Sequence, residues 1–330
     1  MMEFTFGVLS YNSALYILEN LYSIKYQVDN YANDIAVDLI ISDDGSKDNT
    51  VQIINTWVKK YSQLFRSVKV LTSDSNQGTV KNYHRIIHEV TTPYFHIIAG
   101  DDMYAKANIF EIARALKPKL CITSFPISLN DEHELFLEKH RLVRNFAMYK
   151  NEPLYKKEMV RAIIFGSNIH TPSTLFLRED YTKQIEDYVN KFQLYEDDPK
   201  WFYFSKHGFE YKYIFKPFVI YRYHSSSVAH SGNSQLSKFD IDRLRLVSDY
   251  YEDADCSIPL KIYLYFEKRE IQKKYKISIY KIIRELDYLH KYFNIRNNPK
   301  YKDISQSLKY ELTENRALYR SIVEQTESEK

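Results

Sequence analysis

The chain has 330 residues, 44% hydrophobic and 27% charged, with 46 Lys/Arg against 43 Asp/Glu. That balance suits a globular protein with a sizeable core, in two domains or one domain with an appendage. Two distant cysteines, Cys121 and Cys256, exclude a disulfide framework. The lack of a basic leader and of any run near the ~20 apolar residues of a membrane helix predicts a cytoplasmic protein.

Strand and helix signals alternate up to about residue 125. Residues 4–10 form a short apolar run that reads as a strand. Residues 14–24 carry helical spacing through Leu15, Leu18, Leu21 and Tyr22. Residues 37–42 are mostly apolar, with β-branched Val37, Ile40 and Ile41, the pattern of a buried strand. A helix over 51–61, capped at Asp48 or Asn49, comes next. Strands over 68–71 and 94–99 flank a helix over 79–90, and a helix over 109–116 precedes a strand over 120–125. This order predicts right-handed crossovers and a mostly parallel α/β sheet. Ligands of such sheets bind at the carboxyl ends of the strands.

Residues 151–227 read as short helices with strands over 211–215 and 218–223. From 235 onward the pattern is helical, and Ile279, Ile282, Ile283, Leu286, Leu289 and Phe293 mark one apolar face. We therefore divide the chain into a domain over 1–232, with halves meeting near 125, and a helical region over 233–330. Between residues 256 and 310 there are 13 Lys/Arg and 5 Asp/Glu, interleaved with tyrosines. That composition suits peripheral contact with an anionic membrane. It equally suits a solvated basic face or a homodimer surface. No nucleic-acid motif accompanies it, so no nucleic-acid partner is expected.

Polar clusters fall at the predicted strand ends. Ser42-Asp43-Asp44-Gly45-Ser46 closes the second strand; it is an ordinary turn, or a set of acceptors for a base or ribose. Gly100-Asp101-Asp102 closes the fourth. Adjacent carboxylates repel and call for a cation, and Mg²⁺ or Mn²⁺ takes carboxylates together with phosphates; a helix cap is the other reading. Asn76-Gln77-Gly78 opens a helix whose N–H groups and Lys81 could meet an anion. Tyr195-Glu196-Asp197-Asp198-Pro199 makes a good helix start, or supplies a general base. Arg222 and His224 share one face of a β pattern within Tyr221 to Ser227.

Together these motifs resemble family 2 glycosyltransferases of the GT-A fold, such as bacterial capsule, exopolysaccharide and O-antigen enzymes. The resemblance runs from about Phe4 to His230. It rests on Ser10-Tyr11-Asn12, the stretch 42–50, the stretch 76–82, Asp101-Asp102, Glu196-Asp197 and the stretch 221–227. It implies a GT-A domain, to which the helical region after about residue 235 is an extension outside the shared pattern, and inverting transfer from a nucleotide-sugar donor, by default a UDP-sugar, to a glycan or lipid-linked saccharide. Ser10, Tyr11, Asn12, Asp43, Asp44, Asn76, Lys81, Asp101, Arg222 and His224 would bind the donor. Asp102, Asp101 and His224 would hold Mn²⁺ or Mg²⁺. Asp197 would be the general base, with Glu196 beside it. Leu9 stands where the family often has a small or hydroxyl residue. A nucleotidyltransferase lacks support because no Gly-rich basic loop occupies residues 9–13. A silent nucleotide-sugar-binding partner in an assembly remains a second reading.

Overall fold

The computed structural model describes residues 1–149, 169–224, 237–253, 256–272 and 279–329. Strands β1 (Met2–Ser10), β2 (Ile35–Asp43), β3 (Ser67–Thr72) and β4 (Tyr94–Ala99) form an all-parallel sheet in the order β3-β2-β1-β4. Helices α1 (Ile17–Tyr31), α2 (Thr50–Tyr61) and α3 (Thr79–Glu89) connect them. Alternation along the strands sends side chains to two cores. Phe4, Phe6, Val8, Leu39 and Ile41 pack with α1 and α2. Ile40, Phe95 and Ile97 pack with α3. Gly7 lets α3 approach, since a Cβ there would lie 2.8 Å from both Ile86 and Ile97.

The expected α/β architecture is present, with the α1 boundary shifted. Residues 13–16 make a turn, Leu15 is exposed, and the helix starts at Ile17. The register sets Ser10 beside Asp43, Asp43 beside Thr72 and Leu9 beside Ala99. Three predicted motifs therefore start from one sheet edge. The chain crosses to the other side of β1 between β3 and β4, which makes a switch point.

The chain continues through β5 (Met103–Tyr104), α4 (Ile109–Arg114), β6 (Leu120–Thr123), β7 (Ile127–Leu129), β8 (Leu135–Phe136) and α5 (Lys139–Tyr149). It resumes with β9 (Thr174–Leu175), α6 (Lys183–Val189), α7 (Asp197–Lys206), β10 (Glu210–Tyr213) and β11 (Val219–Arg222). Two further sheets have the orders β10-β6-β9 and β5-β11-β7-β8. β11 runs antiparallel to β5 with Ile220 opposite Met103. That register returns Arg222 to the Asp101–Asp102 turn.

The tail comprises α8 (Lys238–Glu252), α9 (Ile258–Ile271), α10 (Ile279–Ile295) and α11 (Pro299–Glu327). It packs back onto the sheet layers. α11 lies against α1 and buries Leu318, Tyr319 and Ile322 in the core shared with β1. On α10 most of the predicted apolar face lies at the surface. Ile282, Leu286, Leu289 and Phe293 are 43–60% exposed. Tyr288, Tyr292 and Ile295 instead pack against Val143 and Phe146 of α5. Ile283 of the aliphatic stripe packs against the core that holds Leu260 and Leu264, while Ile282, Leu286, Leu289 and Phe293 stay at the surface.

Candidate active site

The first wall is built where β1 and β2 end. Tyr11 projects 45% exposed from the end of β1. Asn12 has φ +49°, a left-handed conformation that Asn tolerates. Its N–H donates to Ser46 Oγ at 2.8 Å, and its Oδ1 accepts the Lys47 N–H at 2.8 Å. Asn12 thereby ties the two loops together. Asp43 Oδ1 accepts the Ser46 N–H at 2.8 Å, and the Ser46 hydroxyl donates to Oδ2. Ser10 is buried beside it.

Asp44 is taken up differently. Its carboxylate accepts the N–H groups of Gln77 (3.1 Å) and Gly78 (2.8 Å), the Ser73 hydroxyl (3.2 Å) and Arg85 (3.0 Å). It anchors the 73–78 loop, which leaves it little capacity for a ligand. Asn76 Oδ1 accepts the Gly78 N–H, so it shapes the same loop. Lys81 is exposed, with Nζ 3.4 Å from Gln77 Oε1. The cation that faces the acids is Arg85, one helical turn later, which donates to Asp44 and to the Asp43 carbonyl.

The second wall stands at the end of β4. Asp102 is 2% exposed, and its Oδ1 accepts the Arg222 N–H at 2.9 Å. Burial, and then the neighbouring Asp101, push its carboxyl well above the usual range. Asp101 sits at the rim with Oδ2 2.9 Å from His224 Nε2. Arg222 is 4% exposed. It pairs with Glu19, donates from Nε to the Asp101 carbonyl at 3.0 Å and lies 4.6 Å over the Tyr16 ring.

Asp101 and His224 offer oxygen and imidazole together, a donor set that fits Mn²⁺ better than the strictly oxygen-seeking Mg²⁺ when diphosphate oxygens complete the shell. Asp102 does not join them as the sequence suggested; it lies beneath, bonded to the Arg222 backbone. Among the described residues no three His, Cys, Asp or Glu side chains converge in metal-holding geometry.

The third element is the start of α7. Its three acids separate by environment. Asp198 is buried and pairs with Arg243 of α8 at 3.1 Å. Asp197 Oδ1 accepts the Asp198 N–H at 2.7 Å, and the residue is half-buried. Glu196 is half-buried too, and burial, then Asp197, push its carboxyl up to about 7. Lys200, only 1% exposed, opposes that rise. Its Nζ lies 4.5 Å from the Tyr83 ring centre, and burial pulls its pKa down. Ser225 to Ser227 lie outside the described residues.

The family model described as glycosyl transferase family 2 matches residues 5–185, from β1 into α6. The chain belongs to this family. An uncharacterized glycosyltransferase of Mycoplasma genitalium is 26% identical over 137 residues, 42% of this chain and 44% of the relative. The teichoic acid poly(glycerol phosphate) polymerase of Staphylococcus epidermidis is 23% identical over 309 residues, 83% of this chain and 41% of the polymerase. The chain thus spans less than half the length of these curated relatives. Among solved structures, S. aureus TarS 1–349 in complex with UDP-GlcNAc aligns with TM-score 0.55 and 16% identity, covering 100% of this chain and 93% of that one. Mannosyltransferase PcManGT from Pyrobaculum calidifontis, in complex with GDP-Man and Mn²⁺, aligns with TM-score 0.52 and 13% identity, covering 97% and 85%. At these identities the two structures share the fold.

Sequence reasoning passed over Glu19, Arg85, Lys200 and Arg243. Arg85 had a signal, its i, i+4 spacing from Lys81 on a helix that starts at a loop glycine. Glu19 had a weaker one, an acid among the apolar positions of α1. Arg243 and Lys200 read as ordinary helical cations, and only packing shows Lys200 buried and Arg243 paired with Asp198 and Glu267.

Proposed function

We propose that this family 2 chain is an inverting glycosyltransferase. It moves a sugar from a nucleoside diphosphate, UDP by default, to a glycan or lipid-linked acceptor of bacterial surface polysaccharide. The observation that carries the reading is the convergence of Tyr11, Asp43, Asp101, Arg222 and His224 on one carboxyl edge of the parallel sheet. The UDP-GlcNAc and GDP-Man of the neighbouring structures, and the teichoic acid polymerase relative, support the donor class and the setting.

In this reading Tyr11 and Asp43, on the loop pinned by Asn12, take the nucleoside end. Asp101 and His224 would hold Mn²⁺ or Mg²⁺, whose charge would help neutralise the diphosphate as it leaves. Arg222 braces that corner through the Asp101 carbonyl. Asp197 accepts the acceptor hydroxyl proton as the oxygen attacks the anomeric carbon opposite the diphosphate. Asp198 is a poor base because Arg243 holds it in the interior. Glu196 is the alternative, with a carboxyl already near neutrality. The exposed stripe on α10 with the basic tail supports peripheral contact with the inner membrane face.

The test is binding and turnover of a nucleotide-sugar panel with Mn²⁺, Mg²⁺ or chelator. Metal-dependent turnover of one donor is expected. Binding without turnover in the presence of acceptors would favour the silent-partner reading. No binding by folded protein would overturn both.

A further inference from the structure

Arg222 and His224 face the Asp101 corner, and Tyr221 and Tyr223 alternate with them along the chain. The tyrosines touch the lining of a separate cavity of about 390 Å³. The Tyr223 hydroxyl bonds to Glu138 and accepts from Arg141 Nη2 at 3.0 Å. The Tyr221 ring meets the His170 ring at 4.9 Å. Helices α5 and α10 bring Arg141, Arg144 and Arg284 to this hollow.

The acids there are already engaged. Glu138 pairs with Arg141 at 2.8 Å, and Glu285 lies 3.6 Å from His140. Arg144 feels Asp287 and Glu285 nearby, but neither it nor Arg284 makes an ion pair within 4 Å among the described residues. The Nε of each is buried without a hydrogen-bond partner among the described residues. Burial, and then the neighbouring Arg284, hold Arg144 below the usual arginine range. Two guanidinium groups with unpaired buried N–H donors in one hollow are unfavourable by themselves. A bound anion would offset the like charge of the two guanidinium groups, and the planar fork of an arginine matches phosphate oxygens.

We propose that this hollow binds a phosphate or phosphodiester group of the sugar acceptor. The inference rests on the glycosyltransferase reading above. The donor diphosphate has its own anchors at Asp101 and His224, so a second anion site suits the other substrate. The cavity volume falls in the range of small-molecule sites, enough for a phosphate with a flanking polyol or sugar. Two sources share this chemistry, a lipid-linked diphosphate and a phosphodiester-linked polyol chain.

The experiment is calorimetric titration of the full chain with a glycerol phosphate oligomer, with a short-chain prenyl diphosphate, and with glycerol and a neutral disaccharide. The nucleotide-sugar donor is titrated in parallel. At least one phosphate probe is expected to bind, and the neutral probes not; the probe that binds names the source. Arg144→Gln and Arg284→Gln should each weaken that binding roughly 10- to 100-fold, the loss of charge-assisted bonds. Donor affinity should stay unchanged. If either glutamine variant fails to fold, Arg144→Lys, which keeps charge without the fork, should give intermediate affinity. Parent protein that binds donor but neither phosphate probe overturns the inference, as do glutamine variants that bind a probe as tightly as the parent. Phosphate binding sensitive to Arg144 without any donor binding would instead leave the anion site standing and overturn the glycosyltransferase reading.

Discussion

Glu19→Ala tests whether the buried pair beneath the site holds it together. Glu19 and Arg222 are 8% and 4% exposed, and they pair directly. The substitution leaves a buried guanidinium with neutral acceptors such as the Asp101 carbonyl. Breaking one side of a buried ion pair costs about 3–5 kcal/mol, a large part of a typical total of about 5–15. With a urea dependence of about 3 kcal/mol per molar, the unfolding midpoint should fall by about 1 M or more. Donor affinity should fall as well, because Arg222 braces Asp101. The double variant Glu19→Leu with Arg222→Met removes both charges, and should recover much of the stability while leaving donor binding impaired. A single-variant loss below about 1 kcal/mol, or a double variant as unstable as the two losses summed, would refute the reasoning.

Glu196 contributes a pH dependence whose sign is fixed by its raised pKa. The folded state keeps its proton up to about 7, against 4.5 in the unfolded chain. Its contribution to stability is therefore complete below about pH 4.5 and is lost as pH rises through about 7. Glu196→Gln should flatten the fall in unfolding free energy across that window by about 1–3 kcal/mol, measured by urea titration at several pH values. Asp197→Asn should lower kcat by about 10²–10⁴-fold with little change in donor affinity, as loss of a general base implies; near-parental kcat would move the role to Glu196. Gly45→Ala places a side chain at φ +77°, where its Cβ would lie 2.8 Å from the Ser75 backbone. It should cost about 2 kcal/mol in thermal or urea unfolding and weaken donor binding. Sedimentation with anionic vesicles should retain the parent protein at low salt, and Leu286→Glu with Phe293→Glu should release it; equal retention of both would count against membrane contact by α10.

Much of the fold was legible because its signals are local. Val37, Leu39, Ile40 and Ile41 put apolar side chains on both faces of one short run, as a strand covered on both faces must, and the helix after Gly78 starts where its glycine allows. The strand-end motifs were legible for the same reason, since loops that meet a ligand need Gly, Asp and Asn in short runs. The face of α10 was not. Its aliphatic stripe and its tyrosine stripe are both periodic, and only the presence of α5 decides which one is covered.

The sequence by itself determined the parallel α/β domain, the acidic turns at its strand ends and the family. Tertiary structure decided the job of each polar residue within those turns. Asp43 and Asp44 are neighbours of identical chemistry, yet the Asp44 carboxylate is taken up by Gln77, Gly78 and Arg85 while the Asp43 carboxylate bonds to Ser46 of its own turn. Asp101 and Asp102 divide likewise between rim and interior, because Arg222 arrives from a strand 120 residues away. The charge and burial of a carboxylate depend on what packs against it from distant parts of the chain, and a local motif carries no record of those partners.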